Sequence, residues 1–234
     1  MTSEGWRRLG QTLREGDITG AAILASRGLL VVRVDRMLVL KSPELGPRPT
    51  VQTTPAPESG LSVREALAGD LPEIIRLFPH NAGRYAERMR RREECLLVLH
   101  GTTVIGMTWL GFDPNTPREL GCAIQLPDAS CWNYDALVLT EHRRLGAFVF
   151  LMREMFQRLP ARGIRRVFAA VSHLNKASLA AHGRLGYTTS GVIDRYAVMG
   201  IPFLRLTDGE GRVHWIRGGS DRAPTLNLGG VRSS

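Results

Sequence analysis

The order of apolar and glycine-rich segments predicts an α/β fold, a mixed, partly antiparallel central sheet flanked by helices. Two observations carry this. Cys95–His100 and Thr103–Leu110 are apolar runs on either side of Gly101-Thr102, the pattern of an antiparallel hairpin. Further on, a short apolar run at Tyr134–Leu139, a glycine turn, a helical segment and a second run at Arg166–Val171 make a βαβ unit. Parallel strands need such a crossover.

Taken in order, residues 3–14 are expected as a short helix, broken at Gly16–Gly20. Gly28–Val34 and Met37–Leu40 read as a hairpin turning at Asp35-Arg36. An isolated hairpin is marginal in water, so residues 1–41 form an appendage that packs on the main domain or on a partner, a homodimer mate included. Residues 42–60 hold Pro43, Pro47, Pro49, Pro55 and Pro57 and read as an extended linker. A fragment starting near Glu58 is therefore expected to keep the main domain, residues 61–207, but to lose stability or change its oligomeric state. That domain opens with a strand at Leu61–Ala66. Asp70-Leu71-Pro72-Glu73 is a helix start with an Asp cap, Leu71, Ile74, Ile75 and Phe78 form its buried stripe, and a more polar helix covers Ala82–Arg92. Residues 111–131 form a long irregular loop. Gly191–Ile193 and Tyr196–Met199 extend the sheet. Residues 208–234 supply a last hairpin turn about Asp208–Gly211 and a Gly/Ser/Arg-rich disordered tail.

Composition narrows the classes. Of the 234 residues, 43% are hydrophobic and 23% charged, which is an ordinary globular balance. No apolar run reaches the ~18 residues of a membrane helix, and the N-terminus has no secretory h-region. Cys95, Cys122 and Cys131 lack CxxC spacing and read as reduced thiols, so a cytoplasmic location is expected. The net charge is +9, yet lysine occurs only at Lys41 and Lys176. An arginine bias of that kind reflects composition more than a binding code. The arginines are scattered apart from Arg88-Met89-Arg90-Arg91-Arg92, which Glu93-Glu94 partly neutralises. Nucleic acid and membrane are not the expected partners.

Chemistry concentrates at Val138-Leu139-Thr140-Glu141-His142-Arg143-Arg144-Leu145-Gly146-Ala147-Phe148. A strand end, two arginines and a helix start bring free N–H groups, a positive dipole and guanidinium groups to one point, which suits a phosphate group. Leu145, Phe148, Val149, Met152, Phe156 and Leu159 recur at helical spacing and mark that helix's core face. Asn175-Lys176-Ala177-Ser178 opens another helix that ends at Arg184-Leu185-Gly186-Tyr187.

These two stretches, in this order and at this separation, resemble the two acyl-CoA signatures of the GNAT superfamily of N-acyltransferases. The resemblance covers roughly Leu61 to Leu206. It implies that acetyl-CoA, or another acyl-CoA, is a co-substrate and that a small-molecule or protein amine is the acceptor. By resemblance, the backbone groups of Leu137, Val138 and Leu139 pair with the pantetheine arm, and the pyrophosphate lies on Arg143, Arg144, Leu145, Gly146, Ala147 and Phe148. Phe148 departs from the family's small residue at that place, and it either crowds the phosphate or turns into the core. Asn175 caps its helix, and the family reading adds a bond to the CoA arm. Seven residues on, where many members carry a tyrosine acid, stands His182, which either protonates the departing thiolate or is a plain helix residue. Desolvation would leave it neutral, and water would then serve. Asp135 is the nearest acidic candidate for the base. On a regular strand it faces away from Tyr134 and Ala136, and a bulge upsets that count. Glu141 fits the helix start better. No His/Cys/Asp cluster has metal-ligand spacing, so neither a metal nor a nucleophile triad is expected. Two other readings stay open: a longer-chain transferase fed by acyl-CoA or an acyl carrier protein, and a non-catalytic acyl-CoA-binding or interaction module.

Overall fold

A computed structural model describes residues 35–46, 60–112, 126–198 and 201–217. Its nine strands form one sheet, β1 (Asp35–Lys41), β2 (Leu61–Glu65), β3 (Glu94–His100), β4 (Thr103–Gly111), β5 (Ser130–Val138), β6 (Arg166–Ser172), β7 (Thr188–Val198), β8 (Ile201–Thr207) and β9 (Val213–Arg217). The spatial order is β2-β3-β4-β5-β6-β1-β7-β8-β9. Only β5 and β6 run parallel; every other neighbouring pair is antiparallel. The expected mixed α/β sheet is present.

Among the described residues, four α-helices flank the sheet, α1 (Leu71–Leu77), α2 (Ala82–Arg90), α3 (Ala147–Arg158) and α4 (Lys176–Arg184). β3 and β4 are apolar on both sides because both of their faces are covered. On one face, α3 buries Ala147, Leu151, Met152, Met155 and Phe156 against Leu96, Val98, Ile105 and Cys131. On the other, Ile74, Phe78 and Tyr85 of the α1–α2 segment meet Leu97, Val104, Met107 and Trp109. Leu145 is an exception to the expected stripe. It belongs to a 3₁₀ turn at Thr140–Leu145 that ends at left-handed Gly146, and it is exposed.

The N-terminal boundary needs correction. Asp35 and Arg36 are not a hairpin turn; they pair with Arg195 and Asp194 of β7. β1 is a sheet strand, with Leu38 opposite Val171 of β6 on one side and Val192 of β7 on the other. Its Val39 joins Trp132, Phe168, Ile193 and Leu206 in a core cluster, so residues 35–41 are part of the domain. The segment after it is also built in. Ser42 N–H donates to the Val167 carbonyl, Val167 N–H donates to Ser42 Oγ, and Leu45 N–H donates to the Arg165 carbonyl. Residues 42–45 are therefore joined to the sheet and are not linker. Residues 1–34, including the expected helix and Gly28–Val34, lie outside the described residues, as do 47–59, 113–125 with Cys122, and the tail from 218.

Asp70 differs from a simple cap as well. Its carboxylate accepts two bonds of 2.7 Å from Arg64 and one from Leu67 N–H, ahead of a short 3₁₀ turn rather than within α1. The Arg64 bond holds its carboxyl down at about 2. At the C-terminal end, β8 and β9 form the expected hairpin. Buried Asp208 closes it by accepting from Glu210 N–H, Arg212 N–H and the Arg212 guanidinium.

Candidate active site

The site begins where β5 leaves β6. Parallel pairing runs from Ser130–Arg166 to Asn133–Ala169 and stops there. Beyond that point β5 pairs with β4 alone, and β6 pairs with β1 alone. The result is a fork opening toward the end of β5.

The backbone groups facing the fork follow from the ladder. Leu139 N–H donates to the Ile105 carbonyl, so Ile105–Leu139 is a bonded pair. Bonded and non-bonded pairs alternate in antiparallel sheets. Gly106–Val138 is then non-bonded, and Val138 turns its N–H and C=O away from β4, into the fork. Consistently, its carbonyl accepts from Arg143 Nε at 3.4 Å. Leu137 and Leu139 direct their backbone groups to β4. Of the three residues named for the pantetheine arm, Val138 is the one with backbone groups on the fork side. Gly106 permits this close approach, since a Cβ there would stand 2.7 Å from the Leu137 carbonyl oxygen.

Above the fork, Gly146 takes φ 71°, a left-handed conformation natural to glycine, and starts α3. Phe150 N–H is the first in α3 to bond back into the helix, to Gly146, which leaves the N–H groups of Ala147, Phe148 and Val149 at the open end. Arg143, Arg144 and Gly146 are exposed beside them. An oxyanion would meet N–H donors, the helix dipole and guanidinium groups together. Phe148 packs on the core and stands 5.3 Å from the His182 ring, so its side chain turns inward.

Across the fork, Asn175 Oδ1 accepts from Ser178 N–H at 3.0 Å and caps α4. His182 follows on that helix, but it is only 3% exposed, between Phe148 and the edge of Tyr187. Its Nδ1 lies 2.8 Å from the Ser178 carbonyl, an acceptor only, so Nδ1 carries the proton. Nε2 is buried with no partner among the described residues, as is Tyr187 Oη. Burial pushes the imidazole below its ordinary value and favours the neutral form, while the Ser178 bond works weakly the other way. In this arrangement His182 presents a lone pair, not a proton.

Asp135 stands at the fork itself, with φ 49°. Tyr134 faces Trp109 and Leu137 faces Met107, so β5 carries an extra residue here, a bulge. The bulge brings Asp135 to the α2 side of the sheet, where its Oδ2 accepts from Arg88 at 2.7 Å and from Asn81 at 2.9 Å. Arg88 is buried beneath the Tyr85, Trp109 and Tyr134 rings, and Tyr134 Oη donates to Glu93. In the sequence Arg88 is one of a basic run that Glu93-Glu94 partly neutralises, and nothing singles out Asn81. The signal was Tyr85, three residues before Arg88 and hence on the same helical face.

Among the described residues, no group of three or more His, Cys, Asp or Glu is placed to hold a metal ion, and no helix is long and apolar enough to cross a membrane. Cys95 and Cys131 are buried and unpaired; burial raises both thiols, that of Cys131 to about 12.

Residues 62–187 match the model of the acetyltransferase (GNAT) family. The chain belongs to that family. Among solved structures, a GCN5-related N-acetyltransferase from Sphaerobacter thermophilus is 18% identical, with TM-score 0.50; the match covers 87% of this chain and 59% of that one. A Drosophila protein is 16% identical with TM-score 0.51, covering 74% and 54%. The glucosamine N-acetyltransferase region of a fungal multi-domain β-N-acetylglucosaminidase is 14% identical with TM-score 0.52, covering 75% and 22%. At these identities the GNAT likeness is one of fold, and this chain spans less than two thirds of each of those three. No curated protein matches the chain.

Proposed function

We propose that this GNAT protein is an N-acyltransferase that moves an acyl group, most simply acetyl, from acyl-CoA to an amine. The observation that carries the reading is the fork: β5 and β6 part after Asn133–Ala169, ahead of the Gly146 turn, and Val138 turns its backbone groups to the fork side rather than to β4. A pantetheine arm is an amide chain that such groups can pair with, and the α3 start suits its pyrophosphate. Arg143 and Arg144 supply charge there, and Asn175 borders the other wall.

In this reading the amine nitrogen attacks the thioester carbonyl and a C–N bond forms. The C–S bond then breaks, nitrogen loses a proton and the CoA thiolate gains one. The protein contributes mainly orientation and proton handling. Asp135, at the fork, is the group to which the amine gives its proton, directly or through water. Water, rather than neutral His182, protonates the thiolate. A longer acyl chain, on CoA or a carrier protein, would use the same fork. A cytoplasmic setting, where CoA and reduced thiols coexist, suits buried Cys95 and Cys131.

Thiol release from acetyl-CoA in the presence of a panel of primary amines tests this. The reading requires release that depends on an amine, with the acylated amine found by mass. Saturable CoA binding without release, for every amine, would leave a binding module instead.

A further inference from the structure

Arg88 is the only fully buried arginine or lysine among the described residues, and the proposed chemistry does not use it. Its guanidinium lies 4.4 Å from the Tyr134 ring centroid, 5.3 Å from that of Trp109 and 5.5 Å from that of Tyr85. Arginine keeps its charge in proteins, so a buried one needs a counter-charge. Asp135 provides it at 2.7 Å, and Glu93 lies at 4.0 Å.

The pattern of bonds is more informative than the ion pair alone. Arg88 from the last turns of α2 and Asn81 from the α1–α2 junction converge on one oxygen, Oδ2. Oδ1 has no partner among the described residues. Asp135 is also a non-glycine residue at positive φ, two positions past the last β5–β6 pair. Such a conformation persists only where the surroundings hold it. Two donors from a second element, aimed at one oxygen of a residue at the fork, would hold it there with the other oxygen open.

We propose that Arg88 and Asn81 are positioning residues: they clamp Asp135 by Oδ2 so that Oδ1 receives the N–H of an alkylammonium acceptor beside the fork. This rests on the N-acyltransferase reading. It makes the acceptor an amine that arrives as a cation, because the group that meets it is a carboxylate. It also makes the α1–α2 segment part of the acceptor side of the enzyme.

The test uses the full chain with acetyl-CoA and n-butylamine as probe, comparing Asn81→Ala, Arg88→Lys and Arg88→Met. Melting and the Kd for CoA serve as controls. Loss of one bond to a charged group should raise KM for the amine about tenfold in Asn81→Ala, with the change in KM rather than kcat. Arg88→Lys, which restores charge but not the guanidinium fork, should recover part of what Arg88→Met loses. If Arg88→Met does not fold, Asn81→Ala and Arg88→Lys carry the comparison. An unchanged KM in Asn81→Ala, with Arg88→Lys also at the wild-type KM, would overturn the clamp. If CoA binds yet no amine releases thiol, the transferase reading fails separately. The clamp is then judged on the carboxyl carbon resonance of Asp135: a shift by n-butylammonium in the wild type, lost in Asn81→Ala, supports it, and no shift rejects it.

Discussion

The Phe148 ring and the His182 imidazole lie 5.3 Å apart, tilted by 60°, and together close the seam between α3 and α4. The contact keeps His182 dry, and its Nε2 has no hydrogen bond among the described residues. A neutral imidazole with its proton on Nδ1 is not a proton donor to sulfur. His182→Leu should therefore keep kcat within about threefold, well short of the 10²–10⁴ that general acid catalysis supplies. Loss of kcat on that scale, together with the high-pH limb of its profile, would restore His182 as the acid.

Stability should report the same burial. The folded His182 binds a proton less readily than the unfolded chain does, because desolvation lowers its value. Stability is then full above the unfolded value of about 6.5 and falls as pH drops through the window below it. Urea unfolding between pH 7.5 and 5 should show this fall in the wild type and a shallower one in His182→Leu. Parallel curves would mean that the folded and unfolded chains protonate the imidazole alike, and that burial does not disfavour its charge.

Gly106→Ala should disturb the fork from behind. The added Cβ meets the Leu137 carbonyl at 2.7 Å, Val98 Cγ1 at 2.9 Å and Val138 Cγ2 at 3.0 Å. Backbone cannot yield as a side-chain end can, so β5 must shift. A loss of about 1–3 kcal/mol is expected, with weaker CoA binding because Val138 moves with the strand. Denaturant titration and CoA calorimetry check the two parts; full affinity would show that Val138 does not line the donor site.

Removing β1 should be more damaging than either substitution. Val39 and Leu40 are buried, and full burial of such side chains is worth about 1.5–3 kcal/mol each. Without β1, both β6 and β7 also lose a ladder partner. A fragment starting at Glu58 should lack cooperative melting. If it melts as the full chain does, β1 adds nothing to the fold.

What the sequence shows and what it hides divide along contact range. The β3–β4 hairpin, the βαβ unit, the Gly146 turn and the Asn175 cap are each set by neighbours within a few residues, so periodicity and turn chemistry reveal them. β1 is apolar and strand-like in the sequence, but its partners Val171 and Val192 lie far along the chain, and the nearest apolar run, Gly28–Val34, suggests a hairpin instead. Asp135 depends on a bulge, which breaks the alternation that side-chain counting relies on. Arg88 is hidden by company: four of the five residues Arg88–Arg92 are arginine, and only the Tyr85 spacing marks the one that turns inward. His182 holds the position expected for an acid, yet its protonation depends on Phe148, a neighbour from another helix.

The donor site is tested most directly by calorimetric titration of CoA into the wild type and into Arg143→Glu/Arg144→Glu. Charge-assisted bonds contribute ~1.5–3 kcal/mol each, so the reversed pair should weaken CoA binding by several kcal/mol, while a pantetheine fragment lacking the phosphates should lose much less. Equal CoA affinity in a folded double variant would contradict the placement of the phosphates at the Gly146 turn.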